Sequence, residues 1–186
     1  MTMHDLKRII TAIILSMSLT DVIAVEEGDF YVDKIDLVDQ TVDLVADYGA
    51  NGSDELDDSQ ALQNAIDAMT VNPNGGKITI PAGTYYFLDI LLKDNVHIVV
   101  DTAAVIKPAA SSGIIFRFGY HWKGATAAVT VRNVSIRSNQ EGSKYTVDYS
   151  HAPSNPNKIH FVSCKNVNNF MIADFFIMDN WTKMSV

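Results

Sequence analysis

Asn95-Val-His-Ile98, Asn133-Val-Ser-Ile136 and Asn169-Phe-Met-Ile172 repeat one pattern, Asn-apolar-x-Ile, with starts 38 residues (95 to 133) and 36 residues (133 to 169) apart. Near-regular return of one strand-opening motif is the mark of a solenoid, in which every coil adds a similar strand to a continuous stack. These intervals are long for one β-helical coil, so each is expected to hold an extra coil or a protruding loop. Around the three copies lie other short β-rich runs separated by turn residues: 77–80, 84–87, 96–100, 104–106, 114–118, 129–131, 134–136, 159–162, 170–172 and 175–177. A sandwich would share this texture, and the Asn spacing decides for a stack of strands.

Upstream of the strands one helix stands out, starting at Asp57 or Asp58 and running to Met69. Its apolar residues Ala61, Leu62, Ala65, Ile66 and Met69 recur at spacings of three and four, and Asp57 with Gln60 fits a capping box. The helix should stop in the turn Asn72-Pro-Asn-Gly-Gly76. An open solenoid end exposes apolar core and unpaired backbone, so an amphipathic helix laid across that end has a clear role.

Residues 25–60 hold 12 acids against Lys34 alone, a charge of −11, whereas residues 61–186 hold 11 bases and 8 acids for +3. The net charge of −8 over 186 residues therefore describes the lead-in rather than the solenoid. Bulk acidity argues against a nucleic-acid or anionic-membrane binder, but it does not exclude a polyanionic substrate for the basic part. The acidic stretch reads as a solvated, partly extended lead-in. Asn51-Gly-Ser-Asp54-Glu-Leu-Asp57-Asp58 is oxygen-rich enough for a structural calcium ion, although it lacks EF-hand spacing, and no other cofactor is called for.

A basic Lys7-Arg8, the apolar run 9–19 and the exit Val22-Ile-Ala24 read as a signal peptide over residues 1–24, giving a secreted or periplasmic chain with no later membrane segment. The remaining organisation is an acidic segment, 25–56, followed by the helix and coils, 57–186. With one cysteine no disulfide framework exists, and Cys164 reads as a small buried hydrophobe. His97, His121, His151 and His160 show no metal-ligand spacing. Asp174 and Asp179 stand five apart in a β-rich run, on opposite faces of an unbroken strand, so they read as turn or loop acids, as do Asp89 and Asp101.

The order of segments resembles a known family. Asp29-Phe-Tyr-Val32, Asp43-Leu-Val-Ala-Asp-Tyr-Gly-Ala-Asn-Gly52, the Asp57-Asp-Ser-Gln helix and Asn72-Pro-Asn-Gly-Gly-Lys-Ile-Thr-Ile-Pro-Ala-Gly-Thr-Tyr85 look like the start of a right-handed parallel β-helix polysaccharidase. Tyr86-Phe-Leu-Asp-Ile-Leu-Leu-Lys-Asp-Asn-Val-His-Ile98, Val105-Ile-Lys-Pro108 and Asn169–Asn180 with Thr182-Lys183 are similar to iota-carrageenases. The resemblance implies an all-β, right-handed parallel β-helix with an N-terminal capping α-helix. It also implies inverting hydrolysis of β-1,4 linkages in iota-carrageenan, a sulfated galactan, by a monomer.

Inversion needs a carboxyl pair spaced to admit a water, and in this family the pair lies in a Glu-x-Asp strand deeper in the solenoid. No such element follows residue 61, so no catalytic residue is assigned, and the chain is expected to be truncated and inactive. A sulfated partner calls for cations, with Arg the better fork, and sugar faces call for aromatic rings. The candidates are Arg117, Arg132, Arg137, Trp181 and Lys183, followed by Lys107, Lys123, Lys144, Lys158, Lys165 and the His121-Trp122 pair. A non-catalytic carbohydrate-binding or tailspike-like module, or a pectate-lyase-like β-eliminating enzyme that uses calcium, would fit the same fold.

Overall fold

The computed structural model describes residues 31–119, 130–151 and 159–179, all within one compact unit. The signal-peptide reading, Trp181, Lys183, His121, Trp122, Lys123 and Lys158 lie outside the described residues. A 3₁₀ turn (Ile35–Leu37), β1 (Gln40–Asp43), α1 (Leu44–Tyr48) and α2 (Ser59–Met69) precede the coils. The first coil is β2 (Gly76–Ile80), β3 (Gly83–Phe87) and β4 (Ile90–Leu92). The second is β5 (Val96–Val100), β6 (Ala104–Pro108) and β7 (Gly113–Phe118), and the third β8 (Val131–Ser138), β9 (Tyr145–Asp148) and β10 (Ile159–Cys164). A fourth turn begins with β11 (Val167–Ile172) and β12 (Phe175–Met178).

Every third strand falls in the same sheet. The first sheet has the order β1-β2-β5-β8-β11, the second β3-β6-β9-β12 and the third β4-β7-β10, with every pairing parallel. The solenoid reading holds, and the fold is the right-handed parallel β-helix expected above. Since β5, β8 and β11 are immediate neighbours, each long Asn-to-Asn interval corresponds to one coil. The runs at 129–131 and 134–136 belong to a single strand, β8, so far as residues 131–138 are concerned.

The Asn motif is explained by the corner it occupies. Asn95, Asn133 and Asn169 all have φ between 53° and 60°, the left-handed region that asparagine enters at less cost than other residues with a side chain. In that pose their carboxamides stack along the solenoid. Asn133 Nδ2 donates to Asn95 Oδ1 at 2.8 Å, and Asn169 Nδ2 donates to Asn133 Oδ1 at 2.8 Å. Gly75, at φ 72°, occupies the same corner one coil earlier, where a Cβ would collide with the Asn95 carbonyl.

Inside the coils the alternating residues form the core. Ile78, Ile98, Val134 and Ile136 come from the first sheet, Tyr85, Phe87, Ile106, Tyr145 and Val147 from the second, and Ile90, Leu92, Phe116 and Phe118 from the third. Aromatic rings climb through it, with Phe87–Phe116, Phe116–Phe161 and Phe161–Phe175 centroids 6.2, 5.7 and 5.1 Å apart. Burial of this kind supplies the main driving force for such a fold.

All three edges of the first coil are covered. β1 pairs with β2. Against β3, the Asp58 N–H donates to Tyr86 O at 2.9 Å, and the Asp58 carboxylate accepts from Asn51 N at 2.8 Å and Tyr86 N at 3.4 Å. Against β4, the Gln63 carboxamide imitates a strand, accepting from Leu91 N at 2.9 Å and donating to Leu91 O at 3.2 Å. α2 thus closes the end as anticipated, with Leu62, Ala65, Ile66 and Met69 buried beneath it.

Two expectations fail locally. No Asp57–Gln60 capping box forms: Asp57 Oδ1 accepts from Ser59 N at 2.8 Å, Gln60 Nε2 donates sideways to Asn64 Oδ1 at 2.8 Å, and Asp58 is drawn inward to β3. The acidic lead-in is also more ordered than a solvated extension. Asp43 caps α1 by accepting from Val45 N and Ala46 N at 2.9 Å, Gly49 ends it at φ 75°, and Val42, Leu44 and Ala50 join the core.

Candidate functional site

The second sheet presents an outward row made by register alone: Tyr86 of β3 lies opposite Lys107 of β6, and one coil further on comes Asp148 of β9. Their neighbours Tyr85, Phe87, Ile106 and Val147 point into the core, so alternation sends these three side chains out. They line a cleft of about 280 Å³ together with Glu55, the loop Pro108–Ser111 and His151. Lys107 Nζ stands 3.4 Å from Asp148 Oδ2 and 5.8 Å from the centre of the Tyr86 ring.

Asp148 is buried, and its oxygens are spoken for. Oδ1 accepts from Ser150 N at 2.8 Å and Ser150 Oγ at 2.6 Å, while Oδ2 faces Lys107 and, at 3.9 Å, His151 Nε2. Burial raises its pKa, but the Ser150 hydrogen bonds and the Lys107 cation prevail and hold it below the usual carboxylate range. A carboxylate kept ionised in this way orients Lys107 and is ill suited to donate a proton, because a general acid needs a raised pKa. With Glu55 on the rim and Lys107 matched to Asp148, the cleft carries no surplus positive charge. It suits sugar hydroxyls and a sugar face against Tyr86 better than a bare anion.

The cations proposed from sequence do not converge. Arg117 on β7, in the third sheet, is held by Asp89, with Nε at 2.9 Å from Oδ1. Arg137 on β8, in the first sheet, donates from Nη1 to Asp33 Oδ2 at 2.6 Å. Arg132, also on β8, is exposed, and its backbone N–H donates to Asp94 Oδ1 at 2.8 Å. Lys107 was among the candidate bases, but Tyr86 and Asp148 were not. Each is an ordinary alternating strand position, and loops of unequal length hide the register that aligns them.

Asp89 and Asp174 are positive-φ turn residues, at 54° and 58°. Asp101 accepts from Ala103 N and Asn139 Nδ2, as a loop acid does. Cys164 is exposed rather than buried as expected, because β10 is the edge strand of its sheet among the described residues. In the oxygen-rich 51–58 loop Asn51 and Asp54 serve their own turns, accepting from Ser53 N at 3.2 Å and Leu56 N at 3.0 Å. Among the described residues no group of three or more His, Cys, Asp or Glu side chains is placed to hold a metal, and no helix is long and apolar enough to cross a membrane.

Three parallel sheets, an asparagine-stacked corner and a polar cleft outside one sheet define a parallel β-helix of the pectate-lyase-like class. The chain belongs to the rhamnogalacturonase A/epimerase, pectate lyase-like family, whose model matches residues 44–172. Within that class it is homologous to iota-carrageenases. It is 38% identical over 161 residues to the iota-carrageenase of Alteromonas macleodii, covering 84% of this chain and 30% of that protein. To the iota-carrageenase of Zobellia galactanivorans it is 35% identical over 144 residues, covering 75% of this chain and 27% of that one. A solved iota-carrageenase complexed to iota-carrageenan fragments superposes with a TM-score of 0.72 at 37% identity, covering 86% of this chain and 33% of the other. The chain therefore spans about 30% of the length of the curated relatives it matches.

Proposed function

We propose that this chain forms the capped first coils of a secreted, iota-carrageenase-like glycoside hydrolase, engages a sulfated galactan as a monomer, and does not hydrolyse it unaided. The observation that carries the reading is 37% identity, along most of the described solenoid, to an enzyme solved with iota-carrageenan fragments. Three features of the residues present support the reading of inactivity. No Glu-x-Asp element follows residue 61, Asp148 is locked as an ionised acceptor, and Asp89 and Asp174 are spent on turns. The chemistry of inverting hydrolysis needs a protonated acid and a base on either side of the scissile bond. Any calcium ion would be structural rather than catalytic on this reading.

The test is release of reducing ends from iota-carrageenan by the purified 186-residue chain, beside retardation in gels containing iota-carrageenan or a neutral galactan. The expected rate is at least about 10³-fold below that of the A. macleodii relative, the order of magnitude that acid–base catalysis contributes. Retardation is expected to be stronger in the sulfated gel than in the neutral one. Turnover within tenfold of the relative would overturn the claim of inactivity, and equal mobility in both gels would overturn the substrate class.

A further inference from the structure

The segment Tyr31–Asp33 crosses the outer face of the first sheet and is held there by three polar contacts. Val32 N donates to Asn169 Oδ1 at 2.7 Å, and Asn169 Nδ2 returns a bond to Val32 O at 2.9 Å. Asp33 Oδ2 accepts from Arg137 Nη1 at 2.6 Å. Tyr31, 6% exposed, donates its hydroxyl to Asp33 Oδ1 at 3.3 Å. Val32 N–H takes the position on Asn169 that each Asn carboxamide takes on the one before it, so the segment finishes the corner stack. In this face lies a fully buried polar pair, His97 of β5 and Ser135 of β8, with Nδ1 and Oγ 2.8 Å apart. The second ring nitrogen, Nε2, is buried with no hydrogen-bond partner.

From this geometry we infer that Tyr31–Asp33 is an acid-released strap, which closes over the first sheet while the His97 ring is neutral and lets go when that ring takes up a proton. A neutral imidazole can leave one nitrogen bare, whereas an imidazolium carries two N–H donors and needs an acceptor for each. Here only Ser135 Oγ is within reach. The charged and titratable groups around the ring add to the conflict. Lys77 lies directly opposite His97 on β2, Arg137 follows Ser135 on the same face of β8, and the strap brings Tyr31 and Asp33. The one anion among them, Asp33, is already bonded to Arg137. Met171, next in the row on β11, offers no charge.

Consistently, burial above all, with Arg137 assisting and Asp33 opposing, holds the His97 pKa at about 4. The sign follows from linkage: a closed state with the lower pKa keeps its full advantage above about 6.5, the ordinary value, and loses it as pH falls toward 4. The closed-to-open ratio should drop by up to tenfold per pH unit across that window, about 150-fold by pH 4. Opening would free the Arg137 guanidinium and the Asn169 carboxamide together.

The test is hydrogen–deuterium exchange of the full chain from pH 7.5 to 4, corrected for the intrinsic exchange rate and read at the Val32 amide, which the strap alone protects. Its protection should fall about 150-fold in the parent, and less than about threefold in His97→Asn, which keeps a hydrogen-bonding side chain without the titration. Asp33→Asn should lower protection at every pH while keeping the fall. An equal fall in His97→Asn, or none in the parent, overturns the proposal. Should His97→Asn not fold, an NMR titration of His97 in the parent decides. A pKa below about 5 supports the strap, and one near the ordinary 6.5 refutes it.

Discussion

Asn133 sits in the middle of the corner stack, and replacing it separates the two physical roles of that residue. Its side chain makes two hydrogen bonds, donating to Asn95 and accepting from Asn169, each at 2.8 Å, and its backbone stands at φ 55°. Asn133→Ala loses both bonds, at about 1 kcal/mol net apiece, and forces alanine into the left-handed region at a further cost of about 1 kcal/mol. The sum is about 3 kcal/mol, a large share of the 5–15 kcal/mol typical of a folded domain. Asn133→Gly loses the same bonds but relieves the backbone, so its cost should be nearer 1–2 kcal/mol. Urea unfolding followed by circular dichroism measures both, and the midpoint of the glycine variant should lie above that of the alanine variant. A double-mutant cycle with Asn95→Ala should return a coupling of at least about 0.5 kcal/mol. Equal loss in the two variants, or a glycine variant less stable than the alanine one, would refute the claim that backbone conformation and stacking act together here.

Two further substitutions probe buried carboxylates whose pH dependence runs in opposite directions. Asp58→Ala strands the Asn51 and Tyr86 N–H groups and should cost about 2–3 kcal/mol in urea unfolding. Because burial raises the Asp58 pKa, the wild-type side chain favours the fold more strongly as pH falls through that raised value, so this cost should be larger at pH 4 than at pH 7. Lys107→Met leaves Asp148 buried with Ser150 and the more distant His151 as its partners and should cost about 1–2 kcal/mol at pH 7. The Asp148 pKa is depressed in the wild type, so its stabilising contribution is lost on acidification, and the cost of Lys107→Met should shrink toward pH 3. A pH-independent cost in either variant would show that the carboxylate is not what the substitution disturbs.

What could be read from the chain tracks how far each feature depends on local chemistry. The strand at 76–80 alternates over its whole length, and those at 96–100 and 113–118 are mostly apolar, β-branched or aromatic runs of five or six residues, so all three are visible as strands. Ile90–Leu92 is three residues long and Tyr145–Asp148 four, too short for alternation to rise above a turn. α1 was hidden by charge: Asp43 and Asp47 dominate a five-residue helix whose Leu44 is fully buried, although an Asp at its start and Gly49 just past its end are the expected punctuation. The cleft was hidden for a different reason. Tyr86, Lys107 and Asp148 meet through interstrand register, which depends on how many residues each loop consumes, and nothing local to any of the three records that number.

The acidic lead-in shows how the charge pattern and the fold are linked. Counting charges leaves two readings, a solvated tail or a cation site, yet most of its described aspartates act on backbone. Asp33 accepts from Ile35 N, Asp39 from Asn74 N, Asp43 from Val45 N and Ala46 N, Asp47 from Asp43 N, Asp54 from Leu56 N, Asp57 from Ser59 N, and Asp58 from Asn51 N and Tyr86 N. A solenoid whose first coil must be closed by irregular chain has many N–H groups that no strand can pair, and an ionised carboxylate is the strongest acceptor available for them. The same requirement explains why acids crowd before the first coil and not after it. From β2 to β9 each strand pairs with a strand of the next coil, and most side chains there build the corner stack, the core and the outward row of the second sheet. The described aspartates of this lead-in thus serve the closing of the solenoid, and charge concentrates where irregular chain meets the first coil.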